Sequence, residues 1–167
     1  VNWEFLGNII MDSEKTFKER CTDRANIAEK RADKYFEKFK DLYYLKIGFD
    51  HLNPIPTELW FKFPVFVRCM PDSIVIWKGR FYFIEVKGCR DSLKIKENDF
   101  DEYDKWNRVA ELKYFIYSFK HKSVYIISHN DIKDIKDVKV GYYKDNGKKY
   151  YDIDFEQLSN FKIKGEQ

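Results

Sequence analysis

Residues 71–87 read PDSIVIWKGRFYFIEVK, two apolar runs parted by Lys78-Gly79, with Asp72 at one end and Glu85 and Lys87 at the other. Short runs rich in Ile, Val, Phe and Tyr read as buried strands, and a Lys-Gly pair between them reads as a tight turn. Buried strands seldom tolerate charge without a partner. The charges therefore sit at solvated strand ends or do chemistry. With Lys78-Gly79 as a two-residue turn, Trp77 pairs with Arg80, and counting back along both runs sets Asp72 opposite Glu85. Side chains alternate, so Asp72, Ile74 and Ile76 share a face with Phe81, Phe83, Glu85 and Lys87. A four-residue turn keeps this pairing, whereas a three-residue turn with a bulge shifts it by one.

Two carboxylates held face to face repel one another. They are stable together when one is protonated, when both are solvated, or when a cation lies between them. Hard divalent ions such as Mg²⁺ favour carboxylate and carbonyl oxygens. Lys87, two residues beyond Glu85 on the same face, adds an ammonium suited to orienting a water or offsetting charge on a phosphate. These are the parts that phosphodiester hydrolysis needs. The plain alternative is a turn residue at Asp72 and a same-face ion pair between Glu85 and Lys87.

Working outward, 167 residues suit one domain able to bury a core without metals or disulfides. An aromatic content of 19% argues against disorder. The net charge of +3 is too balanced to mark a nucleic-acid binder by itself. Cys21, Cys69 and Cys89 are odd in number and far apart, which speaks against structural zinc and a disulfide framework. No apolar run nears the ~20 residues of a membrane span, and the N-terminus lacks a signal-peptide layout, so an intracellular, cytoplasmic location is expected. The abundance of Lys, Tyr, Phe, Ile and Asn fits an AT-rich genome, such as that of a virus or its host.

Phe17, Cys21, Ala25, Ala28, Ala32, Tyr35, Phe36, Phe39 and Leu42 recur at helical spacing, predicting a helix from Asp12 or Ser13 to about Tyr43. Leu59 to Arg68 reads as an edge or bulged strand because of Pro64. Strands follow at about Asp72–Trp77 and Arg80–Val86. Phe100, Tyr103, Trp106, Ala110, Tyr114 and Tyr117 predict a second helix from Asn98-Asp99 to about Phe119. Ser123–Ser128 reads as a short buried strand. Asn146-Gly147 predicts a hairpin with Tyr143 opposite Tyr150 and Tyr142 opposite Tyr151. The expected fold is α/β (α+β): one domain over 1–167, a mixed sheet flanked by helices in αβββαβ order, and a C-terminal hairpin at about 137–154.

At Pro71-Asp72 … Glu85-Val86-Lys87 the chain resembles the PD-(D/E)xK nuclease superfamily, whose fold is restriction-endonuclease-like and Holliday-junction-resolvase-like. The αβββαβ layout over about 13–128 is similar too, with the hairpin outside it. The resemblance implies that Asp72, Glu85 and the Val86 carbonyl bind Mg²⁺ or Mn²⁺, and that Lys87 positions or activates the attacking water. The family often adds a carboxylate from the first helix. Here Glu29 is the candidate, beside Ala25, Ala32 and Phe36 on the rim of the apolar face, with Glu19 as fallback; a solvent-exposed Glu29 is the alternative. Many members carry a Gln or Lys leading into a helix with a Tyr. SLKIKENDFDEYDKW is similar but has no Gln, making Lys94, Lys96 and Tyr103 candidates for phosphate or site contacts, with Arg90 in the same basic stretch.

Other chemistries find less support. The acidic run 97–104 lacks the Gly and final Glu of a calcium loop, and acids at a helix start suit its dipole. His51, His121 and His129 have no HxH or HExxH spacing, and neither GxSxG nor GxxxxGK[ST] occurs. The tyrosines of 142–151 are able to stack bases, or simply pack across the hairpin. The expected protein is thus a metal-dependent nuclease acting on duplex or branched DNA, of a kind that often dimerises and needs no membrane. A non-catalytic nucleic-acid-binding or scaffold domain is the alternative.

Overall fold

A computed structural model describes residues 17–48 and 56–164, with the side chains of 17–22 and 57 excepted. In chain order the elements are α1 (Phe17–Phe36), β1 (Leu42–Lys46), α2 (Thr57–Trp60), α3 (Val65–Arg68), β2 (Ser73–Trp77), β3 (Arg80–Cys89) and β4 (Ser92–Lys96). They continue with α4 (Glu97–Val109), β5 (Leu112–Ser118), β6 (Ser123–Ser128), α5 (His129–Lys133), β7 (Lys139–Tyr142), β8 (Lys149–Asp154) and a 3₁₀ turn (Ser159–Phe161).

The main sheet has the order β1-β2-β3-β5-β6, and a smaller sheet has the order β4-β8-β7. Among the neighbouring strands described in the main sheet only β3 and β5 run parallel, which requires a crossover, and α4 supplies its helix. Alternation along the strands divides the core. Ala28, Ala32 and Phe36 of α1 cover one face at Val75, Tyr82, Ile84 and Phe115. Phe83, Leu112, Tyr114 and Ile116 face the other way, against Tyr103 of α4 and Leu93, Ile95 and Ile153 of the small sheet. The result is a mixed α/β domain whose sheet is flanked by helices. No helix among the described residues is long and apolar enough to cross a membrane.

Several elements differ from the sequence expectation while the αβββαβ order stands. The first helix ends at Phe36, not Tyr43, and Leu42–Lys46 is a strand. Phe39 and Leu42 fit a helical period, but the alternation of Leu42, Tyr44 and Lys46 half-buried with Tyr43 and Leu45 exposed is that of a strand. The caps proposed at Asp12 and Ser13 lie outside the described residues. The strand expected at Leu59–Arg68 is instead two helical turns, α2 and α3. The carbonyls of Pro56 and Pro64 accept the bonds that open them, matching the preference of proline for helix starts.

The second helix stops at Val109 rather than Phe119, and Leu112–Ser118 is the buried parallel strand β5. A strand covered on both faces reads as a near-continuous apolar run, here Tyr114 to Tyr117, so Tyr114 and Tyr117 satisfy a helical period by coincidence. The Asn107 side chain closes the junction by accepting the Leu112 N–H at 2.8 Å. Strand β4 went unread. The hairpin forms, but two residues out of the expected register: Tyr142 faces Lys149 and Gly141 faces Tyr150. The loop accounts for this, because Gly147 N–H returns to the Tyr143 carbonyl at 2.8 Å, making a wider turn than Asn-Gly alone would.

Candidate active site

Lys78 and Gly79 have φ of 50° and 71°, so both central residues adopt the left-handed conformation that suits a two-residue hairpin to the twist of its strands. The register that follows pairs Trp77 with Arg80 and Ser73 with Ile84. One step further, Asp72 stands opposite Glu85, as the sequence implied. The end of β1 holds Asp72 in place, since Ile47 and Gly48 N–H groups donate to its carbonyl at 2.9 and 3.0 Å. A further step sets Pro71 opposite Val86. Proline has no N–H for the Val86 carbonyl, and the Val86 N–H is taken at 2.7 Å by Asp72 Oδ2. The ladder thus ends where the carboxylates begin.

Glu85 is 4% exposed. Its Oε1 accepts the Tyr103 hydroxyl at 2.5 Å and lies 2.6 Å from Lys87 Nζ. Its Oε2 is buried and has no hydrogen-bond partner among the described residues. Burial, then the charge of Glu85, raises the Asp72 carboxyl well above the usual carboxylate range, with Lys87 acting in the opposite sense. Burial pulls Lys87 down, but Glu85 and Asp72 outweigh it and the ammonium is strengthened. Burial and Glu85 likewise raise the Tyr103 hydroxyl, which stays protonated and donates. Two acids, an ammonium and a phenol therefore lie together, Glu85 and Tyr103 buried and Asp72 and Lys87 half-buried, and one Glu85 oxygen is unsatisfied among the described residues. Such a donor set, with a backbone carbonyl beside it, fits a hard divalent cation. No group of three or more His, Cys, Asp or Glu side chains suited to a metal occurs among the described residues.

The remaining candidates are spread around this pocket. Tyr103 is a buried support of Glu85 rather than a surface contact. Glu29 lies on α1, which packs on the opposite face of the sheet, and stands 3.9 Å from Lys46 Nζ; its charge is nonetheless felt at Asp72. The Glu19 side chain is outside the described residues. Lys94 and Lys96 project from the exposed face of β4, and Arg90 is exposed in the β3–β4 turn.

Asp99 was missed. It lies one helical turn before Tyr103, and its charge acts on Lys87 and Tyr103. Cys69 Sγ is 3.9 Å from Asp99 Oδ1, and burial, then Asp99, raises its thiol to about 11. The i, i+4 relation to Tyr103 was the available signal for Asp99. Cys69 carried none, because it reaches the site through the turn after α3.

No protein-family model and no curated protein matches the chain. Solved structures do. One is the Holliday junction resolvase Hjc of Archaeoglobus fulgidus, an archaeal hyperthermophile, with a TM-score of 0.50 and 12% identity over 82% of this chain and 88% of that one. At that identity the likeness is one of fold. The chain has a fold similar to that of a junction-resolving nuclease.

Proposed function

We propose that the chain is a metal-dependent nuclease of the PD-(D/E)xK type that hydrolyses DNA phosphodiester bonds as an endonuclease. One observation carries this reading: Asp72, half-buried, stands opposite the buried Glu85, with Glu85 Oε2 unpartnered among the described residues and Lys87 Nζ 2.6 Å from Oε1. Asp72, Glu85 and the Val86 carbonyl would hold Mg²⁺, with Mn²⁺ able to replace it. When bound, the ion supplies positive charge against the phosphate and lowers the pKa of water.

The chain's own groups do the rest. Tyr103 anchors one Glu85 oxygen and leaves the other turned to the pocket. Lys87, kept as an ammonium by the two acids, donates to the attacking water and to phosphate oxygens, so it holds charge rather than removing a proton. Glu29, electrically coupled to Asp72, is the auxiliary acid. The fold shared with a junction resolvase favours DNA, duplex or branched, as the substrate. A homodimer would bring two such sites to the two strands.

Incubation with plasmid, junction and single-stranded DNA, in Mg²⁺, Mn²⁺ or EDTA, tests the reading. Cleavage is expected with either metal, none in EDTA, and at least a hundredfold loss in Asp72→Asn and Lys87→Ala, each of which removes one electrostatic contribution of several kcal/mol (about 2.7–4). Binding without cleavage in every metal would instead favour the scaffold alternative.

A further inference from the structure

We propose that the outward face of the small sheet, carrying Tyr143, Tyr150, Lys94 and Lys96, is a stacking platform that takes unpaired DNA bases next to the cleaved phosphate. This inference rests on the nuclease reading and narrows its substrate to DNA with single-stranded character. It begins from the register. Lys94 pairs with Asp152, Lys96 with Tyr150, and Gly141 with Tyr150. Cross-strand partners share a face, so these residues lie together, opposite Leu93, Ile95 and Ile153, which enter the core. Tyr143 follows Gly141 by two and keeps the ladder through its N–H to the Lys148 carbonyl at 2.9 Å, placing it on the same face.

The rings are held in position. Tyr143 and Tyr150 have centroids 4.6 Å apart. Tyr150 lies across Gly141 so closely that a Cβ there would come within 2.4 Å of its ring. Lys94 Nζ is 4.9 Å from the Tyr150 centroid. This face lies near the site through the chain itself: β4, which carries Lys94 and Lys96, begins at Ser92, directly after the turn that ends β3, the strand of Glu85 and Lys87, and the Lys87 charge acts on the Tyr143 hydroxyl.

Packing across the hairpin accounts for two tyrosines in contact. It does not require that two exposed lysines of the neighbouring strand share their face. Aromatic rings accept the faces of bases, and lysines follow the backbone phosphates. A base inside a duplex already has both faces covered, so the platform selects one that is unpaired or extruded.

Binding is measured in EDTA with two DNAs of equal length, a blunt duplex and a flapped duplex carrying 2-aminopurine in the unpaired arm. Wild type is expected to bind the flap roughly tenfold more tightly and to quench its fluorescence. Tyr143→Ser and Tyr150→Ser each weaken flap binding roughly five- to hundredfold, the range of one lost base–ring stack, and restore the fluorescence. Tyr143→Phe keeps both properties. Gly141→Ala, which displaces the Tyr150 ring, behaves like the serines. Tyr142→Ser, on the opposite face and 64% exposed in its tyrosine, matches wild type. Persistent quenching in both serine variants, or equal binding of flap and duplex by wild type, overturns the platform. Metal-dependent cleavage by a wild type without flap preference overturns the platform alone. If no DNA is either cleaved or bound, the nuclease reading is overturned with it.

Discussion

His129 shows how far burial alone can move a titration. The ring is fully buried, with Nδ1 2.8 Å from the Tyr114 hydroxyl and Nε2 3.6 Å from Asp104 Oδ1. Burial lowers its pKa to about 4 from the ordinary 6.5, against the pull of Asp104 and with help from Lys133. The folded state therefore keeps His129 neutral where an unfolded chain would protonate it. The stability this confers is whole above about pH 6.5 and is lost progressively down to about pH 4, by about 3 kcal/mol in all. Urea unfolding at pH 7, 5.5 and 4 should show wild type losing about 3 kcal/mol more than His129→Gln, and parallel losses would contradict it. The same medium acts oppositely at Asp72, where burial raises an acid instead of lowering a base. Nothing in the sequence around His129 marks its depth, which comes from its place at the start of α5 against the Phe100 and Tyr114 rings.

At the scale of elements, two glycines of β3 and its turn make a contrast. Gly79 has φ +71° and open space around it, so Gly79→Ala meets only backbone strain, about 1–2 kcal/mol. Gly88 follows Lys87, and a Cβ there would stand 2.8 Å from the Arg24 carbonyl of α1 and 3.0 Å from the Phe119 ring. Gly88→Ala must push α1 from the sheet, costing about 1–3 kcal/mol. The stability losses overlap, but cleavage per folded molecule separates them. Gly79→Ala should retain it, and Gly88→Ala should lose it by displacing Lys87. Thermal melts beside a cleavage assay decide, and equal activities would refute the assignment. The turn at Lys78-Gly79 was legible because it depends on four adjacent residues. The approach of α1 to Gly88 was not, because it joins positions 64 apart in sequence.

Across the whole molecule, β5 ties the site to the core. Tyr114, Phe115 and Ile116 pair with Glu85, Val86 and Lys87, and all three are fully buried. Phe115 also packs under α1, its ring 5.8 Å from Phe36. Phe115→Ala should cost about 3–5 kcal/mol, a large share of the roughly 5–15 kcal/mol of a typical domain. Tyr43→Ala, at a residue 75% exposed, should change stability by less than about 0.5 kcal/mol. Urea midpoints measure both, and comparable shifts would show that the core does not run through β5.

What the sequence by itself determined was local. A period of two in 72–87 and a turn dipeptide set Asp72 against Glu85, and the αβββαβ order followed from counting elements. The tertiary structure decided which segments filled that order. Leu42–Lys46 and Leu112–Ser118 have apolar spacings compatible with helix and strand alike, and only a sheet with partners on both sides selects the strand. It also decided the environment of the acids: that Tyr103 bonds Glu85, that Glu85 Oε2 goes unpaired among the described residues, and that the Lys87 charge reaches Tyr143 of a distant hairpin. Alternation specifies the side of a strand a residue occupies. What waits on that side belongs to chain folded back from far away.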